Sequence, residues 1–177
     1  MEDAQLIKRI KDAALLRGTF TLRSGRTSHY YLDKYLFETD PVILAELARR
    51  FAARIGELPG GVDRLAGAEL GGIPLVTATS LATGLATILV RNQKKGYGTA
   101  RQVEGRLQEG DRVAFIEDVV TTGGQTLEAA RLLEGLGVRV RRILVVIDRE
   151  EGARQNIEAA GFQMEALLTK SDLGIDE

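Results

Sequence analysis

The stretch Arg112 to Leu127, RVAFIEDVVTTGGQTL, constrains this chain more than any other. Val113, Ala114, Phe115 and Ile116 form a short apolar run, the pattern of a strand buried on both faces in a parallel sheet. Two acids, Glu117 and Asp118, close the run, at the strand end where open α/β sheets bind their ligands. Gly123 and Gly124 permit positive φ, so successive backbone N–H groups can turn inward around an anion. Thr121, Thr122 and Thr126 add hydroxyl donors, and a helix from about Gln125 aims its positive end at the same point. Val119, Val120, Thr121, Thr122, Gly123, Gly124 and Gln125 therefore read as a phosphate cradle. Two carboxylates beside a phosphate repel it unless they engage sugar hydroxyls or a divalent cation, and a phosphorylated sugar with Mg²⁺ satisfies all these groups together. An ordinary capped strand-to-helix turn accounts for the glycines singly, but not for acids, threonines and paired glycines in one place.

The rest of the composition narrows the class. A length of 177 residues suits one domain with a sizeable core, and 44% hydrophobic with 28% charged residues is the balance of a soluble globular protein. A formal net charge of -1 gives no global argument for nucleic acid or an anionic membrane as partner. With no cysteine there is no disulfide, thiolate metal site or cysteine nucleophile, and a single histidine, His29, disfavours a catalytic triad or a multi-histidine metal site. No apolar run approaches the ~20 residues of a membrane span, and the start, MEDAQLIKRI, is acidic and amphipathic rather than a signal peptide, so a cytoplasmic protein is expected.

Along the chain, Leu6, Ile7, Ile10, Ala14 and Leu15 predict a first helix ending near Arg17-Gly18. TFTLRSGRTSHYYLDKYLF follows as two strand-like runs about Ser24-Gly25-Arg26, gathering Arg23, Arg26, Tyr30, Tyr31 and Lys34. Taken alone, this segment reads as a solvated hairpin with tyrosines on its inner face. Asp40 and Pro41 open a helix whose buried side is Ile43, Leu44, Leu47, Phe51 and Ile55. A strand from Arg64 to Gly67, the turn AELGGIP, a helix through Leu75, Ala78 and Leu81, and a strand from Thr87 to Val90 come next. RNQKKGYGTARQVEGR, Arg91 to Arg106, holds five cations and three glycines and reads as an exposed loop. After the cradle come a helix marked by Leu127, Ala130, Leu133 and Leu136, a strand from Arg142 to Asp148 followed by Arg149, a helix from Gly152 to Ala160 and a strand near Met164 to Leu168. Alternating strands and helices give a parallel α/β sheet.

IEDVVTTGGQT resembles the phosphoribosyl pyrophosphate (PRPP) signature of type I phosphoribosyltransferases, and F-T-L-R-S-G-R-x-S-x-Y-Y is similar to the amino-terminal motif of the orotate branch, where lysine usually stands at Arg23. The loop from Arg91 is similar to that branch's catalytic loop, with Lys95 in the place of its essential lysine, Gly98 its glycine and Val103-Glu104-Gly105 its closing motif. Asn92 and Tyr97 depart from the lysine and histidine often found there, Lys94 leaves a register shifted by one residue open, and Leu70-Gly71 replaces a Tyr-Lys pair of some members.

The resemblance implies the type I phosphoribosyltransferase fold, a central parallel sheet flanked by helices, with residues 1–40 as an N-terminal helix and hood and 41–177 as the α/β core. It implies Mg²⁺-dependent transfer of a phosphoribosyl group from PRPP to orotate, giving orotidine 5′-monophosphate in pyrimidine biosynthesis. Lys95 and Asp118 are then the catalytic residues. Arg91 and Lys95 meet the pyrophosphate, Glu117 and Asp118 the ribose hydroxyls, Val119 to Gln125 the 5′-phosphate, and Arg23, Tyr31 and Arg149 the base. A homodimer with shared active sites is also implied. A phosphoribosyltransferase for another base, or a regulatory protein that senses PRPP without turnover, are the alternatives.

Overall fold

Strands apolar on both faces need cover on both sides, and the sheet at the centre of this chain has it. The computed structural model describes residues 1–21, 25, 27–92 and 102–175. Helix α1 (Asp3–Ala14) leads into a hairpin of β1 (Leu15–Thr21) and β2 (Thr27–Leu32), a short helix α2 (Lys34–Glu38) and the long helix α3 (Pro41–Gly56). The core then alternates β3 (Arg64–Ala68), α4 (Gly72–Thr83), β4 (Ala86–Val90), β5 (Val103–Glu104), β6 (Arg112–Val120), α5 (Gly124–Gly135), β7 (Arg139–Asp148), α6 (Ala153–Ala159) and β8 (Met164–Thr169), before a single 3₁₀ turn at Ser171–Leu173.

The main sheet has the order β5-β4-β3-β6-β7-β8, and β1-β2 form a separate antiparallel pair. Alternation along β6 divides the core: Ala114 and Ile116 join a cluster with Leu47, Phe51 and Leu75, whereas Val113 and Phe115 join one with Ala130, Leu133 and Ile157. Helices α3 and α4 thus cover one face, and α5 and α6 the other. From β3 the chain winds outward to β4 in one direction and from β6 to β7 and β8 in the other, which opens a crevice at the carboxyl ends of β3 and β6.

Local signals behave as the chemistry requires at α3, where the Asp40 carboxylate accepts from the Val42 and Ile43 N–H groups and Pro41 takes the first turn. Elsewhere tertiary pairing overrides them. Helix α1 stops at Ala14 rather than near Arg17-Gly18, because Leu15, Leu16 and Arg17 pair across the hairpin with Leu32, Tyr31 and Tyr30. The residues after the hairpin form α2 instead of strand, capped by the Asp33 side chain accepting from Tyr35 N–H. Val103 and Glu104 pair antiparallel with β4, so the sheet is mostly rather than wholly parallel. Strand β6 does not close at its two acids but runs on to Val120, held by β7 through Glu117 opposite Val145 and Val120 opposite Asp148. No helix among the described residues is long and apolar enough to cross a membrane.

Candidate active site

A cavity of about 770 Å³ fills the crevice at the ends of β3 and β6. Glu117, Asp118 and the whole turn from Val119 to Gln125 line it, with Glu69 and Gly71 from the β3–α4 connection, Arg91 and Asn92 after β4, and Lys34 from α2. The turn is made by backbone. Gly123 has φ of 77°, which a side chain rarely adopts, and a Cβ there would press on Ile157 at 3.1 Å. Helix α5 starts there with no side-chain cap, leaving first-turn N–H groups free for an anion in the cavity. Asn156 Nδ2 donates to the Thr122 carbonyl at 2.9 Å and pins the turn to α6.

Neighbouring acids on β6 have different surroundings. Asp118 is only 2% exposed; its Oδ2 accepts from Lys34 Nζ at 2.5 Å and its Oδ1 from the Val119 N–H. Burial opposes the Lys34 ammonium, but the charge and hydrogen bond of Asp118 outweigh it and hold Lys34 above its ordinary value. Glu117 accepts from Thr126 Oγ1 at 3.2 Å, yet burial first and the Asp118 charge second push it up to about 8. Space for Asp118 comes from Gly71, where a Cβ would lie 1.6 Å from Asp118 Oδ2.

The crevice therefore offers uncapped helix N–H groups for a phosphate, two carboxyls for hydroxyls, and cations at Arg91 and Lys34. Arg91 Nε is buried without a hydrogen-bond partner among the described residues, an unspent donor beside the cavity.

No family model matches the chain. The orotate phosphoribosyltransferase of Natronomonas pharaonis is 44% identical over 177 residues, covering 99% of each chain. Among solved structures, the Mycobacterium tuberculosis orotate phosphoribosyltransferase in complex with Fe(III) dicitrate superposes with a TM-score of 0.87 at 31% identity, covering 97% of this chain and 98% of that one. The chain belongs to the orotate phosphoribosyltransferase family. Its fold is that of the type I phosphoribosyltransferases, and it is a transferase. The same Mycobacterium tuberculosis protein in complex with PRPP superposes with a TM-score of 0.82 at 29% identity, covering 97% and 98%.

Measured against the residues that the family resemblance picks out, the cavity brings together Arg91, Glu117, Asp118 and the turn Val119 to Gln125. Arg149 and Tyr31 are not in its lining. Arg149 follows β7, with its N–H donating to the Val120 carbonyl at 2.9 Å, its Nη2 donating to Tyr30 Oη at 3.2 Å, and its Nε 3.0 Å from Glu151. Tyr31 is 45% exposed and stacks, tilted, on Phe20 at 5.6 Å between ring centroids. Arg23, Lys94, Lys95 and Tyr97 lie outside the described residues.

Sequence reasoning missed Lys34, which lines the cavity, Glu38, which shares the space over Gly71 with Asp118, and Glu69, which also lines the cavity. Glu69 Oε1 accepts from the Asn92 N–H at 2.9 Å and so ties the β3–α4 turn to the root of the basic loop. The signal for the first two was present in DKYLFE, an aspartate cap followed by lysine and glutamate four apart, which places both on one helix face.

Proposed function

We propose that this chain catalyses Mg²⁺-dependent transfer of the phosphoribosyl group of PRPP to orotate, yielding orotidine 5′-monophosphate and pyrophosphate for pyrimidine biosynthesis. The observation that carries the reading is the convergence, in one cavity, of an uncapped helix start with two carboxyls on the adjoining strand. The relatives' shared name supplies the base.

In the reaction a ring nitrogen of orotate bonds to the anomeric carbon and gives up its proton, while the anomeric C–O bond breaks and its electron pair leaves with pyrophosphate. Positive charge grows on the ribose ring and negative charge on the leaving group. The α5 N–H groups and the threonine hydroxyls of the turn would hold the 5′-phosphate, and Glu117 with Asp118 the ribose hydroxyls. Arg91 and Lys95 would stabilise the departing pyrophosphate, and Arg149, with Arg23 and Tyr31 of the hood, would orient the base. No protein nucleophile is required.

Glu117 and Asp118, whose carboxyls line the cavity, are the groups that would face a Mg²⁺ ion brought in with the donor. When bound, Mg²⁺ would supply positive charge to the leaving group.

We further propose a homodimer in which the basic loop serves a neighbouring site, as the family resemblance implies. A cytoplasmic location is part of the same proposal. Loss of orotate absorbance with PRPP and Mg²⁺ tests the reaction, with chelation of the metal, and uracil or hypoxanthine in place of orotate, as controls. Turnover of another base would reassign the acceptor, and PRPP binding without any turnover would favour a sensor. Mixing Lys95→Ala and Asp118→Asn chains tests the shared site: recovered activity supports it, and none overturns it.

A further inference from the structure

Glu38 ends α2 beneath the site, and no step above uses it. It is 1% exposed, and neither carboxyl oxygen meets a hydrogen-bond donor among the described residues. An ionised carboxylate left that way is costly, so the group is expected to keep its proton. Its neighbour explains where that proton goes. A Cβ built on Gly71 would lie 1.6 Å from Asp118 Oδ2 and 2.8 Å from Glu38 Oε1, so the two carboxyls share the space that this glycine leaves open. Lys34, one helical turn earlier, reaches the same Asp118 Oδ2 at 2.5 Å. Helix α2 thus brings an ammonium and a carboxylic acid to one buried carboxylate.

We propose that Glu38 is a positioning residue of the ribose site, donating the proton of a buried carboxylic acid to Asp118 so that this carboxylate stays fixed over Gly71 for the sugar hydroxyls. The proposal rests on the reading of Asp118 as a ribose ligand given above. The groups facing Glu38 agree with it. Burial first, then the charge and hydrogen bond of Asp118, push Glu38 up to about 8; Lys34 opposes the shift and Glu117 adds to it. The proton is held at neutral pH and lost above that value, when two like charges would meet over Gly71 and Asp118 would be displaced.

The test is titration of PRPP with Mg²⁺ into wild type, Glu38→Gln and Glu38→Ala between pH 7 and pH 9, with thermal melting to confirm folding. The glutamine amide can still donate to Asp118, whereas alanine cannot. Glu38→Ala should weaken PRPP binding about tenfold, the scale of a lost hydrogen bond to a charged group, and Glu38→Gln should recover most of that loss. Wild-type affinity should fall as pH rises through about 8, and the fall should be clearly smaller in Glu38→Gln. Equal losses in the two variants, or a pH dependence unchanged by Glu38→Gln, would overturn the proposal. The pH comparison of wild type with Glu38→Gln decides the matter even if the alanine variant does not fold. Should wild type bind no PRPP at all, the parent reading fails with it. Should wild type bind PRPP without the expected response to Glu38 substitution, only the positioning role is lost.

Discussion

The two sides of the cavity are built by different means. On one side the turn after β6 presents mostly backbone: Gly123 in a left-handed conformation, an uncapped α5, and a carbonyl pinned by Asn156. On the other, α2 presents Lys34 to Asp118, and beyond the lining Tyr30 of the hairpin meets Arg149, both side-chain contacts that cross long stretches of chain. A backbone cradle is written in consecutive residues, so its chemistry stays attached to its sequence. A side-chain contact between distant elements exists only once the fold has placed both ends.

The difference can be broken at its seam first. Gly71→Ala puts a Cβ where Asp118 Oδ2 already lies, and the displaced, buried carboxylate should cost about 1–3 kcal/mol of stability together with most of the PRPP affinity, read by thermal melting and titration. Gly123→Ala attacks the cradle alone. Its φ of 77° and the contact with Ile157 predict about 1–2 kcal/mol of destabilisation and weaker PRPP binding, with affinity for the base less affected. Tyr30→Phe attacks the hairpin side alone. Losing the hydroxyl that accepts from Arg149 should cost about 0.5–1.5 kcal/mol, raising KM for orotate and leaving that for PRPP nearly unchanged in steady-state assays. An equal effect on both substrates would break the division.

A separate effect concerns pH. Glu38 and Glu117 are held near 8 in the folded chain, above the ordinary carboxylate value of 4.5. The folded state therefore keeps protons that the unfolded state has released, and these groups make stability fall as pH rises from about 4.5 to 8. Melting of the ligand-free protein between pH 5 and pH 8 checks the direction, and Glu38→Gln should flatten the curve.

What could be read in advance follows the same line. The strand, acids, turn and helix from Arg112 to Leu127 were legible because apolar run, glycine pair and hydroxyls are local signals, as was α3 with its Asp40 cap. Extension of β6 past its acids was not, since β7 supplies the hydrogen bonds that continue it. The end of α1 was misplaced because Leu15 and Leu16 suit helix or strand, and only Leu32 and Tyr31 opposite them decide. Lys34 and Glu38 were visible as residue types, but their meeting with Asp118 depends on the space left by Gly71, which no local pattern announces.

The central claim is that Asp118 and the turn beside it form a seat for an activated ribose phosphate. Titration of PRPP with Mg²⁺ into wild type and Asp118→Asn tests it most directly. Saturable binding in wild type, weakened roughly 10–100-fold by the substitution, is the predicted result. Absence of binding in wild type, or equal affinity in the two proteins, would contradict it.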